Sequence, residues 1–485
     1  GVEVVALNKD GVKVAALDGD GKRVAGSSIT GARSVSVEAV KVYDYADGST
    51  LTATDLTTIT TDNTSFASNH AAIKDDLGMT GNSAFHVLSG VEVRSSGDLT
   101  LANDWNLATS RAGGEAGVLT LAADGNLNIN GNLSDGFSVA TPCPTASCTP
   151  ASTPASTPAA LRSDASWSYR LAAGADSAAA DPLAVKPIDK DVTLAAGKLV
   201  RTGTGDIDIA AGRNIVLADA SAAIYTAGRL NNPDPESGFT APFAGLRANY
   251  TVDGGDVRLV AQGDVLGKPS AQLYSQWLYR QGVTDPATGL YVQQPSWWVR
   301  FDQFRQGVGA LGGGDVTVTA GGTVRDVSAS LPTQAYTVGT KPANAVLTET
   351  GGGTLRVSAG GDVLGGSYYV GRGELDIRAG GDIKPGSDKI LSANVPLAAI
   401  IAIGDARADV RANGDVTIGN IVNPHLMPQS AGNLVLPPFG QGVRNPRVTL
   451  FSTYGANSGV ALQSLAGNIN LELERLNSSA FPDLL

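Results

Sequence analysis

Three groups of side chains in this sequence have types and spacings that can do chemistry. Asp or Asn recurs just after a turn glycine, at Asp98, Asn126, Asn214, Asp264, Asp362, Asp382, Asp415 and Asn468. Stacked carboxylates can bind calcium, but the glycine-aspartate repeats that do so run Gly-Gly-x-Gly-x-Asp, a spacing absent here. Asn also replaces Asp at three of these eight positions, which removes charge that a hard cation needs. Turn capping is therefore the favoured reading, and the sequence calls for no metal and no cofactor.

The second group is aromatic. Of 27 aromatic residues, eight fall between 268 and 312: Tyr274, Trp277, Tyr279, Tyr291, Trp297, Trp298, Phe301 and Phe304. Trp and Tyr faces stack on sugars, and Arg300 and Arg305 have donors for hydroxyls. The candidate glycan or partner site is thus Trp277, Tyr279, Tyr291, Trp297, Trp298, Arg300, Phe301 and Arg305. The competing expectation, and the favoured one, is that these large rings pack down on the flank or end of the fold.

The third group comprises isolated acids, His and Cys. Asp253, Asp256, Asp285 and Asp302 offer carboxylates, but no local pairing singles out two for glycoside hydrolysis. The three His lie near neither a nucleophilic Ser nor a metal-ligand spacing. A non-enzymatic chain is expected, with a β-helical polysaccharide-degrading enzyme as the less favoured alternative. Cys143 and Cys148 form a Cys-x4-Cys pair beside Thr149-Pro-Ala-Ser-Thr-Pro-Ala-Ser-Thr-Pro158. That spacing is poor for zinc and suits a small disulfide loop, which would place the chain outside the cytosol. Free thiols in a loop are the alternative.

The elements that must position these residues repeat. Gly353-Thr-Leu-Arg-Val-Ser-Ala-Gly-Gly-Asp-Val363 returns as Gly373-Glu-Leu-Asp-Ile-Arg-Ala-Gly-Gly-Asp-Ile383. The same frame begins at 117, 205, 255 and 314, and shorter copies include Val91–Leu99, Val410–Val416 and Val460–Ile469. Period-two alternation marks strands with one buried face, and Gly followed by Asp or Asn bends the chain between them. The closest starts are 20 residues apart, about one coil, and several others are separated by roughly two or three. Stacked coils follow, each burying its apolar face against its neighbours. The expected fold is all-β, a parallel β-helix (solenoid) with loop insertions.

The expected organisation is coils over 1–139 with a polar excursion near 50–88, then a Pro/Ser/Thr/Ala-rich insertion over 140–190. Coils resume over 191–267, the aromatic-rich insertion occupies 268–312, and coils fill 313–485 with a Pro-rich excursion near 423–446. Within the aromatic insertion, Ser275–Gln281 has the makings of a short helix. About 15 coils rising ~4.8 Å each would span roughly 70 Å.

Composition excludes several classes. A net charge of −11 argues against nucleic acid and anionic membranes as partners. No apolar run approaches the ~18 residues of a membrane span. The chain opens as Gly1-Val-Glu-Val-Val5, inside an alternating pattern, and reads as part of a longer polypeptide.

The Ala-Gly-Gly-Asp-Val coils resemble the filamentous haemagglutinin family, the large exoproteins of two-partner secretion in Gram-negative bacteria. The resemblance is sharpest at Trp297-Trp-Val-Arg-Phe-Asp-Gln-Phe-Arg-Gln-Gly-Val-Gly-Ala-Leu-Gly-Gly-Gly-Asp-Val316, followed by Val324-Arg-Asp-Val-Ser-Ala-Ser-Leu-Pro332. That combination looks like the C-terminal region of haemagglutinin-like outer-membrane exoproteins. It implies a right-handed β-helix, export through an outer-membrane transporter and extracellular display at the bacterial surface, with no catalytic residues. The family's amino-terminal secretion domain is not apparent. The expected function is a structural and adhesive rod that presents loops to host or bacterial surface glycans or proteins. A scaffold or filament part, assembled through flanks or ends, is the alternative.

Overall fold

A computed structural model describes residues 2–7, 35–76, 80–111, 113–138, 160–231, 248–386, 396–426 and 454–472. One sheet gathers 29 strands, and every pairing within it is parallel between successive turns of the chain. The fold is a parallel β-helix with three faces.

The long-strand face runs from the Lys41–Tyr45 half of strand Val35–Tyr45 through Val118–Ala123, Ile207–Ala211 and Val316–Ala320 to Gly459–Ser464. It contains eleven stacked strands among the described residues. At ~4.8 Å per step the stack is about 50 Å long, shorter than the sequence expectation of about 15 coils. A short-strand face follows after the turn, as in Leu127–Ile129 and Ile215–Leu217, and a third face closes each coil, as in Ala223–Thr226 and Ala329–Leu331.

Alternation is what builds the core. Along Gly353–Ala359, Leu355, Val357 and Ala359 point inward and are buried, while Arg356 and Ser358 are exposed. The same positions recur in each coil to form one continuous core from Leu51 to Ile418. The leading glycine of the repeat is steric in origin. A Cβ on Gly353 would lie 2.1 Å from the carbonyl oxygen of Gly314 in the coil below, and one on Gly373 would meet Gly353 in the same way.

Several expected boundaries move. Ser168–Ala173, inside the expected 140–190 insertion, is a full strand of the long face, in register with Val118–Ala123. The polar excursion near 50–88 contains two helices, α1 (Ala53–Ser68) and α2 (His70–Asp76), and its end is strand Phe85–Ser95. Ser275–Gln281 is not a helix: a 3-10 turn over Tyr274–Gln276 gives way to strand Leu278–Thr284. The stretch 313–485, expected to be coils, includes a hairpin, Thr333–Val338 with Val346–Gly351, that leaves the stack. Strand Ala399–Ala412 buries Ala399, Ile401 and Ile403 inside the stack. Cys143, Cys148 and the neighbouring Pro/Ser/Thr run lie outside the described residues, as does most of 423–446.

Candidate functional site

The Asp/Asn positions form a ladder up the stack. Asp98 Oδ1 accepts from the backbone N–H of Asn126 at 2.7 Å, and Asn126 Oδ1 accepts from Asp191 at 2.9 Å. Asp191 then receives Asn214, Asn214 receives Asp264, and Asp264 receives Thr323. A second run links Asp362 to Asp382, Asp382 to Asp415 and Asp415 to Asn468, at 2.7–2.9 Å. Each side chain thus satisfies the turn N–H of the coil above, which Asn does as well as Asp. All eight residues from the sequence belong to it. Asp47 and Asp191 are further members that the glycine-based frame missed. Among the described residues no group of three or more His, Cys, Asp or Glu is arranged to hold a metal ion.

The aromatic insertion is turned inward, the packing arrangement favoured above, and does not provide a sugar platform. Leu278–Thr284 and Tyr291–Val299 pair antiparallel, and with the Thr333–Val338 hairpin they make a four-stranded sheet against the third face. Trp277 is 0% exposed, Trp298 1%, Trp297 4%, Phe301 4% and Tyr279 6%. Trp277, Trp297, Phe301 and Phe304 form a second core with outward-pointing Tyr225 and Tyr369 of the third face. Trp298 and Tyr279 pack on the opposite side of the sheet with Tyr250. The indole N–H groups of Trp277 and Trp297 each donate at 3.0 Å, to Gln306 Oε1 and Thr333 Oγ1. Arg300 is buried and ion-paired with Asp302 at 2.7 Å, and Arg305 donates to the Phe304 carbonyl. Of the set, Tyr291 and Arg305 are half-exposed. A ring without a face in water cannot stack on a glycan, and the desolvated area explains why the rings bury.

The acids singled out earlier are also engaged. Asp253 pairs with Arg229, Asp285 caps its own turn at Ala287 and Thr288, and Asp256 accepts from the N–H of Asp315. Asp206, Asp256 and Asp315 make another ladder on the outer side of the long-strand face. Burial pushes the carboxyl of Asp206 above the usual carboxylate range, helped by the charge of Asp256. Asp208 is raised by burial too, and then by Asp206. They border neither of two cavities that described residues form.

The larger of those cavities is a groove of about 400 Å³ on the outer side of the long-strand face. Its floor is Glu38, Glu92, Arg94, Thr120 and Arg170, and its opposite wall is the segment Ala175–Leu183. Glu38, 3% exposed, pairs with Arg170 at 3.0 Å, and Glu92 pairs with Arg94 at 2.6 Å, which raises the guanidinium pKa of Arg94. The lining includes Asp124, Asp176 and Asp181 as well, so carboxylates outnumber guanidinium groups. Such a groove suits polar or cationic groups better than apolar ones. The sequence signal for it was weak, because its residues come from four coils and a loop.

Compared with known proteins, the chain matches no family model, no curated protein sequence and no solved structure. No helix among the described residues is long and apolar enough to cross a membrane.

Proposed function

We propose that the chain is a structural and adhesive segment of a large, secreted bacterial surface exoprotein. It acts as a stiff rod that displays loops for attachment to cells or matrix. One observation carries this reading: among the described residues, the Asp/Asn and aromatic candidates are committed to holding the fold together. The Asp/Asn ladder caps turns, and the Trp-rich insertion is a second core. What remains for contact is the outer surface, including the Glu38–Arg170 groove and the exposed segment 286–290. Attachment to surface glycans or proteins belongs there rather than at Trp297 and Trp298. Export by an outer-membrane two-partner-secretion transporter is part of the proposal and rests on the family resemblance of the coils. Assembly with other chains through flanks or ends is the second reading, favoured by the exposed apolar side chains of Leu465, Ile469 and Leu471.

Labelling intact producing cells with a membrane-impermeant amine reagent tests the proposal. The chain should be tagged before lysis. Tagging only after lysis would refute surface display.

A further inference from the structure

Helix α2 is tied to the stack through one carboxylate. It has only seven residues, too few to persist in water without docking. Ile73 gives it an apolar foot, packed with Val37, Phe85 and Val87. The polar tie is Glu115, from the loop that precedes strand Val118–Ala123. Its Oε1 accepts from Lys74 Nζ at 3.1 Å, and His86 Nδ1 of strand Phe85–Ser95 lies 3.0 Å from Oε2. Helix α1 is anchored separately, by Leu56 and Ile59 in the main core and by Asp55 and Asp62.

His70 is the odd member of this cluster. Its side chain is 9% exposed, and its Nε2 makes no hydrogen bond among the described residues. That nitrogen stops 3.8 Å from Glu115 Oε1, the oxygen that Lys74 already occupies. The loop walls the ring in, since a Cβ on Gly113 would lie 2.4 Å from His70 Nδ1. The charged and titratable groups that face it are Lys74 on its own helix, Glu115 on the loop and His86 on the strand. Asp75 accepts instead from Thr80, and Arg111 is committed to Asp135 and Asp164.

We propose that this cluster is an acid-operated latch: α2 is docked at neutral pH and lifts off the stack, leaving α1 in place, when His70 takes up a proton. With His70 neutral, the Glu115 carboxylate meets the fixed charge of Lys74. A proton on His70 adds a second positive charge four residues from Lys74 on the same short helix, where like charges repel. It does so in a site with little water, against a carboxylate oxygen that is already taken. Burial and then Lys74 hold the ring below its usual 6.5, and Glu115 pulls the other way without prevailing. The docked state therefore binds this proton less readily than the released one, so docking is complete above pH 6.5 and weakens as pH falls below it. Release uncovers Val37, Phe85 and Val87, the apolar surface on which Ile73 sits.

Hydrogen exchange of the full chain, corrected for intrinsic rates and followed from about pH 7.5 to about pH 5, tests this. The α2 amides should lose protection below pH 6.5, by up to about tenfold per pH unit, while those of Leu56–Asn63 and Val118–Ala123 keep theirs. His70→Leu should abolish the acid loss, and Lys74→Gln should shrink it by leaving Glu115 Oε1 to His70. In the wild-type chain the His70 ring protons should titrate with a midpoint below 6.5, a readout that needs no variant to fold. Protection of α2 that is flat with pH or rises in acid would overturn the latch. So would a His70 midpoint above 6.5, an acid loss that survives His70→Leu, or release of α1 together with α2.

Discussion

Trp297 and Trp298 are adjacent in sequence and point to opposite sides of one strand, and both are buried because a core lies on each side. Sequence reasoning reached the residues and favoured packing over a sugar platform, but it did not identify what they pack against. The deciding information was the outward-facing Tyr225 and Tyr369, which lie far away along the chain. An aromatic at an outward strand position is itself the signal that something covers that face. Trp277→Ala should cost about 3–5 kcal/mol in urea unfolding. The ladder was legible, since its eight Asp/Asn positions were found from spacing alone. Asp264→Ala leaves the Thr323 N–H without its acceptor and should cost about 1–3 kcal/mol, while chelators should leave the wild-type melting temperature unchanged.

Histidine supplies the pH dependence at this scale. Burial, reinforced by the charge of Arg280, pushes His425 down from 6.5 to about 3, with its ring 4.9 Å from that of Trp297. The folded state therefore binds this proton less readily than the unfolded state. Its contribution is complete above pH 6.5 and is lost as pH falls toward 3, at about 1.4 kcal/mol per pH unit. His425→Leu should flatten the stability profile between pH 6.5 and about 4, read by denaturant melts at each pH.

At the scale of elements, the strands were readable because each coil repeats the same alternation. Helix α1 was hidden by its composition. It is rich in Thr, a β-branched residue with low helix propensity, and Thr57, Thr58, Thr60, Thr61 and Thr64 return their hydroxyls to carbonyls four residues back. Its start was nonetheless written in the capping box of Thr52 and Asp55, and its buried face in Leu56, Ile59 and Asn63. The Thr333–Val338 hairpin was missed for a different reason, because its alternation matches that of a coil strand and only its antiparallel partner distinguishes it. Helix α1 sends Leu56 and Ile59 into the main core beside Leu51, so Ile59→Asp should destabilise the protein by several kcal/mol, about what burying an unpaired charge costs. Exchange of the Val91–Ser95 amides should speed up before that of Ile207–Ala211.

For the whole molecule, the number of coils was overestimated because residues between recognisable repeats went into insertions rather than extra turns. Two of those insertions, Leu278–Val299 and Thr333–Gly351, combine into one side sheet, an association that no local pattern encodes. The central claim is that this side sheet and the eleven-coil stack form a single structural rod. Native-state hydrogen exchange, read peptide by peptide, tests it most directly. Long-face strands from Val118–Ala123 to Gly373–Ala379 should exchange slowly as one block, with Leu278–Thr284 and Tyr291–Val299 inside it. Fast, independent exchange of those two strands over a protected stack would show the aromatic insertion to be a separable module, and would contradict the account.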